Sequence, residues 1–157
     1  MIRVGLGFDV HPFANEPGRP LVLGGVLFEG EAGLAGHSDA DVVAHAVADA
    51  LLGAGGLGDL GTLFPDDDPQ WAGADSMELL AHVVELVRGQ GWQLGNVDCA
   101  VVLESPKLAP YREPMQQCLS AAVGAAVSVK PKRAEGLGAI GRGEGVACWA
   151  VTLVQRP

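Results

Sequence analysis

Segments with the hydrophobic periodicity of helices alternate along this chain with segments typical of strands, and glycine or proline separates most of them. Strands are predicted at 2–7, 97–103, 127–130 and 146–155, where apolar residues alternate or run continuously. Helices are predicted at 40–52, 76–88 and 111–123. This order predicts an α/β fold of the two-layer α+β type, a mixed β-sheet with helices packed on one face. At 157 residues the chain is expected to form one domain, 1–157.

Local signals mark where several of these elements begin. A hairpin of two short strands is predicted at 21–28, because two consecutive glycines interrupt its apolar residues. Ser38 and Asp39 are predicted to cap the first long helix. Asp75, with Glu78 three positions later, resembles a capping box for the second helix.

Composition and charge exclude several classes of partner. A formal net charge of −9 argues against nucleic acid and against anionic membrane surfaces, since both require clustered Lys and Arg. The sequence has neither a signal segment nor an apolar run near the ~20 residues of a membrane helix. Cys99, Cys118 and Cys148 lie in or near apolar segments and are predicted to be reduced core residues. These features predict a cytoplasmic protein. A phosphorylated small molecule stays compatible, because a metal ion can reverse the field within a cleft.

Three side chains suited to metal binding are placed on two predicted elements. Asp9 and His11 are two residues apart, so an extended backbone directs both the same way, and His45 lies in the first helix. One carboxylate and two imidazoles leave a coordination position open, as catalytic zinc sites do. Spacing alone leaves an alternative: two exposed loop side chains and an unrelated helix histidine. Asp41 and Asp49 lie one turn either side of His45 and either orient its ring or are simply solvated.

Two further polar segments have both a functional and an ordinary interpretation. His37 and Ser38 precede a predicted helix N-terminus, where free N–H groups suit an anion, although serine is also a common cap. The acidic loop at 57–68 suits hydroxyls or a metal, or is a solvated loop.

Basic residues near the C-terminal glycine run form a local exception to the acidic charge. Around Glu135 lie Lys130, Lys132, Arg133 and Arg142, a combination that suits phosphate. Gly-x-Gly-x-x-Gly occurs at 53–58 and 136–141, but neither match lies between a strand and a helix. A dinucleotide site is therefore not predicted.

Several motifs occur together and in order. They are Gly7-Phe8-Asp9-Val10-His11, Leu23-Gly24-Gly25-Val26, His37-Ser38-Asp39-x-Asp41, Leu57-Gly58-Asp59-Leu60-Gly61 with Phe64-Pro65-Asp66, and Gly141-Arg142-Gly143-Glu144-Gly145. From Ile2 to about Leu153 the chain resembles the 2-C-methyl-D-erythritol 2,4-cyclodiphosphate synthase family. The resemblance implies a homotrimer with active sites at its subunit interfaces. It also implies conversion of 4-diphosphocytidyl-2-C-methyl-D-erythritol 2-phosphate to the cyclodiphosphate and CMP, in non-mevalonate isoprenoid biosynthesis.

The same resemblance implies roles for individual residues. Asp9, His11 and His45 would hold zinc, Glu135 would hold magnesium or manganese with the substrate diphosphate, and His37 would be catalytic. Pro106 to Ala109 of a neighbouring subunit would bind cytidine, and Arg142 would lie on the trimer axis. The implied substrate contacts are Asp9, Val10, His11, His37, Ser38, Asp59, Leu60, Gly61, Phe64, Pro65, Asp66, Asp67, Asp68, Pro106, Lys107, Leu108, Ala109, Lys132, Arg133, Ala134, Glu135 and Arg142.

One segment, Lys130-Pro131-Lys132-Arg133-Ala134-Glu135, departs from the family pattern, which usually has threonines before the glutamate. Arg133 occupies the place of the usual catalytic threonine, where it could neutralise a diphosphate more strongly but also crowd the site. We expect an active enzyme with an altered phosphate clamp, in which Arg133 is a catalytic residue. Two other classes remain open: a metal- and nucleotide-binding trimer without chemistry, and a metal-dependent phosphohydrolase that releases linear phosphates.

Overall fold

A computed structural model describes residues 1–65 and 67–157. The helices and strands in chain order are β1 (Ile2–Pro12), β2 (Leu21–Leu23), β3 (Val26–Phe28), α1 (Val42–Gly55), α2 (Leu60–Leu63), α3 (Ser76–Gly89), β4 (Gln93–Val102), α4 (Arg112–Val123), β5 (Ala126–Lys132), α5 (Gly138–Gly141) and β6 (Gly145–Gln155). Short 3₁₀ turns lie at Pro69–Trp71 and Ala109–Tyr111. In the described part of the chain, none of the helices is long and apolar enough to cross a membrane.

The main sheet has the strand order β1-β6-β4-β5. Strand β6 is antiparallel to β1 and β4, whereas β4 and β5 are parallel. The predicted mixed sheet is therefore confirmed. Because β1, β4 and β5 run the same way, their carboxyl ends reach the same edge of the sheet, where most of the predicted functional residues follow.

The helices cover one face of this sheet, as predicted. Helix α1 packs across β1 and β6, α4 packs on β5, and α3 contacts both α1 and α4. The opposite face carries exposed apolar side chains, which we call the open face: Ile2, Val4, Leu6, Phe8 and Val10 of β1 with Trp149 and Val151 of β6. Alternation along β1 thus places glycines towards α1 and large apolar groups away from it.

Two glycines let α1 approach β1 closely. A Cβ atom at Gly5 would lie 1.9 Å from the carbonyl oxygen of Ala50, and one at Gly7 would lie 2.0 Å from that of Ala46. Any side chain at either position would push the helix away. This close approach brings His45 of α1 beside the end of β1.

The start of α1 differs from the prediction. Asp41 is the N-cap, and its carboxylate accepts hydrogen bonds from the N–H groups of Val43 and Ala44. The prediction of Ser38 and Asp39 as caps was wrong. Ala40 has a φ of 58°, a left-handed conformation that cannot continue a helix, so the helix begins only after it.

Asp41 also anchors the predicted hairpin. The hairpin turns at Gly24 and Gly25, whose φ angles of 57° and 75° suit a primed turn. Their N–H groups donate to the fully buried Asp41 carboxylate over 2.8 and 2.7 Å. Neither interpretation of Asp41 offered by the sequence was right, because its carboxylate is buried rather than solvated and accepts backbone N–H groups rather than orienting the His45 ring.

The predictions for the second helix cap and for the cysteines were partly right. Asp75 caps α3, as the capping box predicted, by accepting a hydrogen bond from the Met77 N–H. Cys99 and Cys148 are buried free thiols, but Cys118 is exposed. Its assignment to the core was wrong, because it lies on the outer side of α4 rather than on the side that packs on β5.

Candidate active site

The metal-binding side chains predicted from the sequence converge at the end of β1. The strand stays extended through Pro12, so Asp9 and His11 project from the same face of the sheet. Asp9 Oδ2 lies 3.0 Å from His11 Nε2 and 2.9 Å from His45 Nδ1. The candidate ligand atoms of the three residues all lie within 4.8 Å of one another.

Hydrogen bonds on the outer side of each imidazole test whether this cluster fits a metal ion. His11 Nδ1 is 2.8 Å from the carbonyl oxygen of Ala35, an acceptor, so Nδ1 carries a proton and Nε2 presents a lone pair. His45 Nε2 faces the Ser76 hydroxyl at 2.8 Å, and its Nδ1 faces Asp9. A compact O,N,N set of ligand atoms suits a divalent cation.

The charge of Asp9 also suits that role. Burial alone raises the pKa of its carboxyl, but in the metal-free protein the hydrogen bonds and charges of His11 and His45, when each ring carries two protons, outweigh burial and hold the pKa well below its usual range. Asp9 is therefore an anion at neutral pH. A carboxylate ligand must be deprotonated to bind a metal.

The cluster borders a cavity of about 330 Å³. Several implied substrate contacts line the same cavity, namely His37, Ser38, Asp59, Leu60, Gly61 and Phe64. Phe8, Asp49, Trp71 and Leu79 complete the lining. Trp71 and Leu79 were not singled out from the sequence, because only the packing of α3 on α1 and the position of the 3₁₀ turn at Pro69–Trp71 bring them here.

Two aspartates fix the α2 side of the cavity. Asp59 caps α2 by accepting hydrogen bonds from the Thr62 N–H and hydroxyl, at 2.8 and 2.9 Å, and these bonds lower its pKa. Asp49 accepts a hydrogen bond from the Leu60 N–H at 3.3 Å. Asp49 is thus tied to the α2 segment, whereas His45 is bonded to Asp9, Ser38 and Ser76.

A second group of predicted residues follows β4 and β5. Arg133 binds one carboxylate oxygen of Glu104 through Nε and Nη2, at 3.2 and 2.8 Å, and the other oxygen accepts the Ala134 N–H. The ion pair lowers the pKa of Glu104 and raises that of Arg133. Glu104 was not singled out from the sequence, since only the parallel pairing of β4 with β5 brings it to Arg133.

The two groups occupy the same edge of the sheet but different positions along it. Strands β1 and β5 are three positions apart in the sheet, which is roughly 14 Å at the usual strand spacing. Among the described residues, none from 102–142 lines the cavity beside the metal cluster. Within one chain, the predicted site residues therefore form two separate groups.

The remaining predicted residues lie at varied places. Val10 lies on the open face, Leu108 is buried, and Arg142 pairs with Glu144 over 2.6 Å. Asp68 caps the turn at Pro69–Trp71. Lys132 ends β5, and Glu135 follows with a positive φ of 55°. Pro106, Lys107 and Ala109 lie between β4 and α4, Pro65 and Asp67 follow α2, and Asp66 lies outside the described residues.

Fold and site together define a two-layer α/β protein with a candidate divalent-metal pocket at one sheet edge. The sequence profile of the YgbB family matches residues 2–155. The chain therefore belongs to the YgbB family, and the resemblance seen in the sequence is confirmed.

Curated relatives match over nearly the whole chain. The 2-C-methyl-D-erythritol 2,4-cyclodiphosphate synthase of Thermosynechococcus vestitus is 52% identical, with 98% of this chain and 96% of that protein covered. The protein of the same name from Geobacillus kaustophilus is 53% identical, with 99% of each covered.

Solved structures agree with this fold. The bifunctional IspDF of Campylobacter jejuni superimposes with a TM-score of 0.94 at 42% identity, covering all of this chain and 43% of that one. A CDP-bound form of 2C-methyl-D-erythritol-2,4-cyclodiphosphate synthase has a TM-score of 0.87 at 38% identity, covering 98% and 100%.

Proposed function

We propose that this chain converts 4-diphosphocytidyl-2-C-methyl-D-erythritol 2-phosphate to 2-C-methyl-D-erythritol 2,4-cyclodiphosphate and CMP, in non-mevalonate isoprenoid biosynthesis. The observation that carries the proposal is the Asp9, His11 and His45 cluster beside a cavity, in a chain about half identical to synthases of that name. The enzyme is a phosphorus–oxygen lyase.

The reaction is an intramolecular phosphoryl transfer. An oxygen of the 2-phosphate forms a bond to the β-phosphorus, and the bond from that phosphorus to the oxygen bridging to the α-phosphorus breaks. The bond's electron pair leaves with CMP, so an eight-membered ring closes without a redox partner. Such a step depends on positioning and charge neutralisation more than on a protein nucleophile.

Asp9, His11 and His45 are the proposed zinc ligands. Zinc held there supplies Lewis acidity towards a phosphate oxygen. The same ligand set also accepts manganese, iron or cobalt, so availability determines which ion is bound. Glu135 is the proposed ligand of magnesium or manganese at the diphosphate.

The segment at 34–38 places two further groups at the cavity. Arg19 donates hydrogen bonds to the carbonyl oxygens of Leu34, Gly36 and Ser38 at 2.5, 3.0 and 2.6 Å, and so fixes the backbone around His37. We assign His37 to stabilising charge in the transition state and Ser38 to binding the 2-phosphate. The methylerythritol part then lies against the residues from Asp59 to Phe64 that line the cavity.

In the proposed homotrimer, the two groups of predicted site residues come together across a subunit interface. Leu6 and Val4 on the open face are 66% and 64% exposed, and an apolar patch on this scale usually marks an interface. In the proposed assembly, Pro106–Ala109 of a neighbouring subunit binds cytidine and completes the cavity beside the metal cluster. Arg142 lies near the trimer axis.

Arg133 is the proposed cation of the phosphate clamp. Glu104, whose side chain is only 14% exposed, holds the guanidinium by two hydrogen bonds while leaving Arg133 68% exposed. A guanidinium oriented in this way can offer its remaining donors to a diphosphate. Arg133 thereby supplies charge where the family usually has a hydroxyl.

Product identity tests the proposal. Purified protein loaded with zinc and magnesium is incubated with the diphosphocytidyl substrate, and ³¹P NMR follows the phosphorus species. We expect CMP and the cyclodiphosphate in equal amounts, and neither from metal-stripped protein. Linear phosphates would instead indicate a phosphohydrolase, and CMP no higher than the stripped control would indicate a binding protein without chemistry.

A further inference from the structure

The outer nitrogen of His45 contacts a buried serine of another helix. Ser76, the first residue of α3, places Oγ 2.8 Å from His45 Nε2, and the Ser76 side chain also bonds to Asp39 Oδ1. Ser76 is 1% exposed and His45 is 8% exposed. Asp39, Ser76 and His45 therefore form a continuous hydrogen-bonded chain that ends at the metal cluster.

The direction of these hydrogen bonds follows from the donors available. A carboxylate oxygen only accepts, so the single Ser76 hydroxyl proton points to Asp39. The Ser76 oxygen then accepts the proton on His45 Nε2. With Nε2 protonated, a neutral His45 presents its lone pair at Nδ1, the atom that lies 2.9 Å from Asp9 Oδ2.

We propose that Ser76, oriented by Asp39, is a positioning residue for the metal site. It fixes the ring of His45 and the nitrogen that binds the ion. The proposal rests on the metal-binding part of the proposed function, but not on the identity of the substrate. In the sequence, Ser76 is only the first residue of a predicted helix, and Asp39 is a candidate cap within a family motif.

Ser38 offers a comparison within the same site. Its hydroxyl also approaches His45 Nε2, but at 3.2 Å, and it accepts a hydrogen bond from the Ala40 N–H. No described carboxylate receives the Ser38 hydroxyl proton through a hydrogen bond comparable to that of Ser76. Ser76 is therefore the stronger of the two partners for His45.

Zinc affinity, measured by competition with a chromogenic chelator on the full chain, tests this inference without using activity. We expect Ser76→Ala to weaken zinc binding about 10- to 100-fold, the usual effect of removing a partner of a metal-bound histidine. The backbone N–H of residue 76 still donates to Asp39 Oδ2, so the start of α3 is retained. Ser38→Ala is the matched control and should change zinc affinity by less than about 3-fold, well below that range.

A double substitution tests whether Asp39 acts through Ser76. If it does, Asp39→Asn weakens zinc binding in the wild-type background but adds little to Ser76→Ala. Urea midpoints of the metal-free proteins report whether each variant folds. Should Ser76→Ala not fold, Asp39→Asn alone gives the same test, because it keeps the side-chain size and removes the accepting charge.

The Asp9→Asn variant distinguishes an error in the proposed metal site from an error in the positioning role of Ser76. If Asp9→Asn binds zinc as tightly as the wild type, the proposed metal site itself is wrong. If Asp9→Asn loses zinc while Ser76→Ala keeps wild-type affinity, only the positioning role of Ser76 is overturned. An equal loss in Ser38→Ala and Ser76→Ala would also overturn it, since the hydroxyl next to Asp39 would then have no special part.

Discussion

Asp9 carries the negative charge at the centre of the candidate metal site. Its two histidine neighbours hold its pKa well below the usual range, so the carboxylate is ionised at neutral pH. We expect Asp9→Asn, which keeps the shape and removes the charge, to release zinc and lower kcat by at least about 100-fold, equivalent to ~2.7 kcal/mol of barrier.

Metal analysis after dialysis and a steady-state assay measure these two effects. Glu85→Gln is the control, because it removes one charge from an exposed carboxylate on α3. We expect this control to behave as the wild type. Zinc retained at full occupancy in an active Asp9→Asn would show that the cluster is not the metal site.

Arg133 occupies the position at which the family pattern usually has a catalytic threonine. If its guanidinium neutralises the diphosphate, Arg133→Thr should lower kcat/KM by about 10- to 100-fold, the effect of losing a charge-assisted hydrogen bond. Glu104→Gln should lower it less, because the cation remains but loses its charged partner. Faster turnover of Arg133→Thr at unchanged KM would mean instead that the arginine crowds the site.

The sequence pattern could predict site residues that are close together along the chain. It could not predict contacts between residues that only the folded structure brings together. Asp9 and His11 could be paired in advance because a strand places i and i+2 on one face. Ser76 and Glu104 could not be found in this way. Their partners are 31 and 29 residues away along the chain, and helix and strand packing alone brings them together.

Strand β1 and helix α1 position the site through their close contact. Gly7→Ala would place a methyl group 2.0 Å from the Ala46 carbonyl oxygen and 2.5 Å from the Ala50 nitrogen, both backbone atoms that cannot rotate away. We expect a loss of about 1–3 kcal/mol in the free energy of unfolding, typical of overpacking. Urea denaturation of metal-free protein measures it.

Gly53→Ala is the matched control for this substitution. Gly53 lies in α1, the helix that Gly7 of β1 packs against, and a Cβ at Gly53 would meet its nearest neighbour, the Leu6 carbonyl oxygen, only at 4.0 Å. Alanine is the better helix former, so this change should stabilise the protein by up to about 1 kcal/mol. Equal stability of the two variants would show that α1 does not depend on close approach to β1.

Helix and strand periodicity predicted the kind and order of the long elements, whereas boundaries depended on tertiary partners. Strand β1 was expected to end near Gly7 but extends to Pro12, because β6 pairs with its whole length. The cap of α1 was misassigned since Ser38 and Asp39 bond to His45 and Ser76 instead. Competing caps a few residues apart cannot be ranked without these long-range contacts.

The apolar side chains of the open face lead to a prediction about the oligomeric state of the protein. Leu6 is 66% exposed in one chain, so its contact with other subunits should stabilise the proposed trimer. We expect Leu6→Asp to yield a monomer by light scattering and to lose activity, since each cavity then lacks the cytidine-binding turn. Leu27→Asp, the same change at a 51% exposed hairpin position, should remain trimeric and active.

Two results would contradict this assembly. The first is a wild-type protein that is monomeric and fully active at assay concentrations. The second is a Leu6→Asp monomer with wild-type kcat/KM, which would show that one chain contains a complete site. Mixing purified Asp9→Asn protein with purified Arg133→Thr protein offers a further check. Trimers that contain both variants regain some activity only if the two residues act across a subunit interface.

In the proposed enzyme, Asp9, His11 and His45 bind the catalytic metal at the cavity where the diphosphate is cyclised. Anomalous diffraction at the zinc absorption edge, from crystals containing zinc and CDP, tests this most directly. We predict a zinc peak bonded to the Asp9 carboxylate, His11 Nε2 and His45 Nδ1, with a diphosphate oxygen beside it. A zinc peak on any other ligand set, or CDP bound away from this cavity, would contradict the account.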